Sequence, residues 1–173
     1  MMTKRERYAQ LLARVASLLD GETDAVANLA NVSSLIHEML GCWWTGFYRV
    51  CGGQLVLGPF QGPVACTRIP FGKGVCGTSW QRGETIVVPD VEEFPGHIAC
   101  SSASRSEIVV PVRRDGEIVA VLDIDSRDLA AFDAEDAAGL EAVAALLGGC
   151  FETSTSSRSP KSSMKSAERF PAT

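Results

Sequence analysis

The spacing of apolar positions changes along the chain, and those changes lay out its elements. "TKRERYAQLLARVASLLD" carries Tyr8, Leu11, Leu12, Val15, Leu18 and Leu19 on one helical face. Thr3 and Glu6 have capping-box spacing at its start, and Gly21 closes it. Asp24 can cap a second helix running to about Leu40, with Leu29, Ile36 and Leu40 inward. The period then drops to two. "CWWTGFYRV" and "QLVLGPF" read as strands joined by the turn residues Gly52 and Gly53. Trp44, Gly46 and Tyr48 share one face of the first strand, and Trp43, Thr45 and Phe47 share the other. One face must be core, and the opposite one can wall an apolar pocket.

"QGPVACTRIPFGKG" holds too much Gly and Pro for regular structure, apart from a short extended piece near Thr67 to Ile69. "VCGTSWQRGE" allows a short helix, "TIVVPD" a strand, and "VEEFPGHIACSSASR" a long loop with room for a helical turn. The plainest element is "SEIVVPVRRDGEIVAVLDIDS", two apolar strands around the hairpin dipeptide Asp115-Gly116. "FDAEDAAGLEAVAALLGG" is a closing helix capped by Asp133, with Leu140, Val143 and Leu147 inward. The order of elements predicts an α+β fold: an antiparallel sheet with the N- and C-terminal helices packed on one face. Residues 1–151 form the expected domain. The stretch 152–173 has seven serines and few apolar groups, so a disordered tail is expected there.

Composition narrows the function classes. The 173 residues are 46% apolar and 21% charged, with net charge −5. The tail carries four basic and two acidic groups, which leaves the body near −7. That balance argues against a nucleic-acid face, which needs a basic stripe. The N-terminus lacks the apolar stretch of a signal peptide, and no apolar run approaches the ~18 residues of a membrane span. A cytoplasmic location is therefore expected. In a reducing compartment the six cysteines at 42, 51, 66, 76, 100 and 150 are not read as structural disulfides. Catalytic, metal-binding and inert buried roles stay open.

Gly72-Lys73-Gly74-Val75-Cys76-Gly77 matches G-x-G-x-x-G, but the next strand begins near Thr85. That leaves no room for the crossover helix of a dinucleotide site, so the glycines are read as turn formers around Cys76. Cys66, Cys76, Cys100 and His97 have the chemistry of zinc ligands. Cys66 and Cys76 are ten residues apart, though, which is wide for a knuckle. A redox site asks less of spacing. Cys100 follows a Gly-containing loop and can open a short helix at Ser101–Ser104, whose free N–H groups would favour a thiolate. His97 and Arg105 are candidate cationic neighbours, with His97 equally able to serve as a loop anchor. A second loop cysteine can resolve a sulfenic acid into a disulfide. Asp123 and Asp125 alternate with core residues and so share one strand face. Pairing across the Asp115-Gly116 turn brings Glu107 to the same strand end. Adjacent acids repel on a structural strand, but they suit a site that holds an ammonium group and supplies a proton.

"WWTGFYRV", "GPFQGPVAC", "IPFGKGVCGTSW", "FPGHIACSSASRSEIVVP" and "LDIDS" together resemble the free methionine-R-sulfoxide reductases, a family built on the GAF fold. The resemblance continues into "FDAEDAAGLE" and covers most of the chain before the tail. It implies a GAF-like antiparallel sheet and a thioredoxin-recycled enzyme acting on free L-methionine-R-sulfoxide. By the same resemblance Cys100 is the attacking cysteine, Cys66 the resolving one, and Cys76 the third family cysteine, a catalytic candidate that would form or exchange disulfides in a less central role. Glu107, Asp123 and Asp125 match the family's active-site carboxylates, and Trp44 and Tyr48 its aromatic wall. No bound cofactor is implied; thioredoxin, with NADPH and thioredoxin reductase, is the external reductant. A homodimer is compatible with the fold, though no sequence feature selects an interface. A GAF-type module that binds a small molecule or senses oxidants without turnover is the competing reading.

Overall fold

A computed structural model of the chain describes residues 2–98 and 102–151. Cys100 and Ser101 lie outside the described residues, as does the expected tail 152–173. Helices α1 (Lys4–Leu19) and α2 (Ala25–Leu40) lead into strands β1 (Trp44–Cys51), β2 (Gln54–Gln61) and β3 (Arg68–Pro70). Helix α3 (Gly74–Arg82) and strand β4 (Ile86–Val88) follow, and then the long hairpin of β5 (Ser106–Arg114) and β6 (Glu117–Ser126). Helix α4 (Ala134–Leu147) closes the fold. The six strands run in the order β3-β2-β1-β6-β5-β4, and every neighbouring pair is antiparallel.

The helices start where the sequence places their caps. Thr3 and Glu6 form a reciprocal capping box on α1, Asp24 caps α2 through Ala27 N, and Asp133 caps α4 through Glu135 N and Asp136 N. Asp115 and Gly116 both take positive φ in the turn of the long hairpin, the conformation that a two-residue hairpin turn of this type requires.

The sheet separates two apolar clusters. On one face α1, α2 and α4 bury Leu11, Val15, Leu29, Ile36, Leu140 and Leu147 against Phe47, Ile108, Leu122 and Ile124. The N- and C-terminal helices thus meet on one side, as the pattern predicts. Tyr8 Oη donates to Asp136 Oδ1 at 2.8 Å, tying α1 to α4. A smaller cluster on the opposite face joins Trp44, Tyr48, Leu55, Ile69, Val75, Val109 and Val121 beneath α3 and the middle loops. The functional candidates gather on this second face.

The short helix that "VCGTSWQRGE" allows is formed as α3, and Cys76 stands inside it, buried. Gly72 and Gly74 take positive φ to make the turn, and a Cβ at Gly77 would collide with the Pro70 carbonyl. Here the motif's glycines serve backbone approach. The short helix expected at Ser101–Ser104 begins outside the described residues; within them Ser102 and Ala103 make a turn, and Ser104 and Arg105 are irregular.

Candidate active site

Strand alternation puts the three acidic candidates on one face. In the β5–β6 ladder Glu107 lies opposite Asp125, and Val109 opposite Asp123. In the β1–β6 ladder Trp44 lies opposite Asp125 and Gly46 opposite Asp123. Trp44, Tyr48, Glu107, Asp123 and Asp125 all line a single cleft on that face, with Cys76 and Val75 of α3 forming one side.

The aromatic wall is fixed at its polar ends. The Trp44 indole N–H donates to Pro63 O at 3.0 Å, and Tyr48 Oη donates to Cys66 O at 3.0 Å. Trp44 stacks on Phe60 with ring centroids 5.3 Å apart and on Tyr48 at 6.0 Å. The stack requires glycine at two positions: a Cβ at Gly46 would run into Phe60 and the Trp44 ring, and one at Gly62 would meet Trp44 and the Trp43 carbonyl. Phe60 was not singled out from sequence. Only the pairing of β1 with β2 brings it to Trp44.

The floor of the cleft is electrostatically frustrated. Glu107 and Asp123 are buried, at 6% and 7% exposure. Burial drives the Glu107 carboxyl well above the usual range, and the negative charges of Asp123 and Asp125 push it further. Asp123 is raised for the same reasons, burial first and Asp125 second, against hydrogen bonds from Cys76 and Glu107 that favour its ionised form. Burial raises Asp125 to about 6, with a partial offset from the Ser104 hydroxyl. Glu107 and Asp123 are hydrogen-bonded to each other and both are raised, so the cluster as a unit holds a proton. Asp123 Oδ1 is buried with no hydrogen-bond partner. Ser104 is a site residue that sequence reasoning missed, since nothing distinguishes one serine in "SSASRS" from its neighbours.

The cysteines divide. Cys66 is disulfide-bonded, whereas Cys42, Cys51, Cys76 and Cys150 are free. A bonded Cys66 cannot serve in the zinc set of Cys66, Cys76, Cys100 and His97. The Cys76 thiol is raised well above its ordinary value, by burial first and then by the charges of Asp123 and Glu107. It is therefore a neutral hydrogen-bond donor rather than a nucleophile. Cys100 lies outside the described residues, but Ile98 before it and Ser104 after it both line the cleft. His97 lines it too, with Nε2 3.8 Å from Glu107 Oε2. Burial lowers its pKa, which favours the neutral ring. Its backbone N–H donates to Phe94 O, the geometry of a loop anchor.

The GAF domain model matches residues 24–151. The chain is 48% identical over 147 residues to the free methionine-R-sulfoxide reductase of Escherichia coli K12, covering 84% of this chain and 89% of that one. The chain belongs to the GAF-domain family of free methionine-R-sulfoxide reductases. The free methionine-R-sulfoxide reductase of Neisseria meningitidis, whose X-ray structure is a complex with its substrate, is 54% identical. That match has a TM-score of 0.77 and covers 84% of this chain and 86% of that one. GAF domain-containing protein A of Dictyostelium discoideum is 53% identical over 146 residues, 84% of this chain and 92% of its own length. For a free methionine-R-sulfoxide reductase family member, the G-x-G-x-x-G match has no nucleotide meaning: α3 is short, and the strands flanking it, β3 and β4, lie at opposite edges of the sheet.

Proposed function

We propose that this protein reduces the R-sulfoxide of free methionine to methionine. The observation that carries the proposal is the floor of the cleft: the carboxyls of Glu107, Asp123 and Asp125 gathered beneath the Trp44–Tyr48 wall, with burial and mutual repulsion favouring a retained proton. A sulfoxide sulfur becomes electrophilic when its oxygen is hydrogen-bonded or protonated. A carboxylic acid held neutral near pH 7 supplies that proton, and the ionised neighbours attract the amino acid's ammonium group. The aromatic wall takes the apolar methyl and thioether end. A polypeptide-bound methionine has no free ammonium group to place on these carboxylates, so the chemistry selects the free amino acid.

In the proposed cycle the Cys100 thiolate attacks the sulfoxide sulfur while the acid donates to its oxygen. Methionine leaves, and the oxygen stays on Cys100 as a sulfenic acid. The Cys66 thiol then attacks the Cys100 sulfur, releasing water and closing a Cys66–Cys100 disulfide. Thioredoxin's dithiol reduces that disulfide and is itself oxidised, with NADPH as the ultimate electron source through thioredoxin reductase. The disulfide at Cys66 supports its resolving role. No bound cofactor takes part.

The deciding assay is thioredoxin-coupled NADPH consumption with free L-methionine-R-sulfoxide, run beside the S epimer and a peptide containing methionine sulfoxide. Turnover with the free R epimer alone is expected. Binding of the free sulfoxide without NADPH consumption would replace the reductase reading with that of a sensor module, and equal rates on the peptide would remove the carboxylates' proposed selectivity.

A further inference from the structure

Cys76 has no step in this cycle, yet it stands at the carboxylate cluster. Its Sγ, one carboxylate oxygen of Glu107 and one of Asp123 all lie within 4.8 Å of one another, and all three residues are buried. They come from α3, β5 and β6, so the triangle is set by tertiary packing rather than by a local motif. Asp123 lines the cleft, and its Oδ1 is buried without a hydrogen-bond partner. One sulfur and two carboxylates this close together supply the three protein ligands that a zinc site with a further, exchangeable position uses. The sulfur decides the metal. Hard Mg2+ and Ca2+ select all-oxygen shells, whereas borderline Zn2+ accepts thiolate and carboxylate together.

We propose that Cys76, Glu107 and Asp123 form an inhibitory zinc site, in which Zn2+ occupies the floor of the cleft and excludes the sulfoxide substrate. The inhibition rests on the reductase reading; the metal site itself does not. Cys66 is disulfide-bonded and is not one of the ligands, so the site exists in the oxidised protein. This separates it from zinc capture by a reduced catalytic thiol pair.

The test uses the full chain with its disulfide intact, stripped with chelator, then titrated with ZnCl2 by calorimetry and with Co2+ by absorption. One equivalent of Zn2+ and a thiolate-to-cobalt charge-transfer band are expected, with no binding of Mg2+. Both should persist in the Cys66→Ser/Cys100→Ser double variant. Zn2+ affinity should fall about tenfold or more, the scale of losing a determinant of metal affinity, in Cys76→Ala and in the near-isosteric Glu107→Gln. Circular dichroism and thermal melts show whether either variant has unfolded, and Glu107→Gln keeps the test decisive if Cys76→Ala has. Binding that appears only after reduction, or an unchanged affinity in folded Cys76→Ala, would overturn the site. In the coupled assay Zn2+ should raise the apparent KM for the sulfoxide. Stoichiometric zinc that leaves KM unchanged overturns the inhibitory role, and zinc binding by a protein with no turnover at all counts against the reductase reading instead.

Discussion

Trp44 sits between Gly46 and Gly62, and at both positions a single added carbon would strike its ring. The pocket wall is thus set by two residues that contribute no side chain. Gly46→Ala is expected to push Trp44 off Phe60 and raise KM for the free sulfoxide roughly tenfold, comparable to the loss of one aromatic pair. Steady-state kinetics beside Trp44→Ala check this; a normal KM in Gly46→Ala would mean that the stack does not shape the binding site. The cysteines part by the same logic. Cys100→Ser should abolish even one turnover, because among the described residues the cleft is lined by no thiol fit to replace it. Cys76 is buried there, with its thiol held protonated. Cys66→Ser should keep a single turnover, measured as one equivalent of methionine per protein, and lose thioredoxin-driven cycling. Full steady-state activity in that variant would refute the resolving role.

At the scale of elements, α1 and α4 are latched through one buried carboxylate. Asp136 receives Tyr8 Oη at 2.8 Å and Lys4 Nζ at 2.7 Å, and the Tyr8 ring packs so closely on Gly139 that a Cβ there would collide with it. Tyr8→Phe removes one hydrogen bond from a buried acceptor that keeps its others, so it should cost about 1 kcal/mol. Urea unfolding measures the loss, and unchanged activity is expected because the latch lies across the sheet from the cleft. A variant as stable as the parent would show the bond to be idle. These long helices were legible from sequence because each repeats apolar positions at helical spacing and begins at a recognisable cap. The Asp115-Gly116 hairpin was legible because a two-residue turn fixes register, and register alone carried Glu107 to Asp125. Helix α3 was legible only as a short helix, because nine residues with glycines at 74 and 77 give little periodic signal, and what holds it is packing on β3, β5 and β6. The contacts of Phe60 with Trp44 and of Ser104 with Asp125 escaped altogether: both depend on which distant segment arrives, and no local pattern records that.

Across the whole molecule the sheet divides two kinds of interior. One face is closed by three helices over apolar side chains; the other buries ionisable groups that its surroundings disfavour. Such a site should lower stability for the sake of function, and Asp125 allows the sign to be worked out. Its carboxyl titrates near 6 in the folded chain against an ordinary 3.8. Between those values the folded state holds a proton that the unfolded state has released. The stabilisation is therefore fully present below about pH 4 and is lost as pH rises through 6. Above that, folding must bury a charge, at a cost of up to about 3 kcal/mol. Asp125→Asn has no charge to bury. Its melting temperature should match the parent's near pH 4, rise above it by a few degrees as pH passes 6, and hold a constant gap beyond 7. The same variant should lose kcat/KM, since the amide can neither attract the ammonium group nor share the cluster's proton. Melts across pH 4 to 8 with chelator present, paired with the coupled assay, test both halves. A gap that does not change with pH would place the stabilisation elsewhere than in the buried charge, and a stabilised variant with full activity would break the link between the charge and the chemistry.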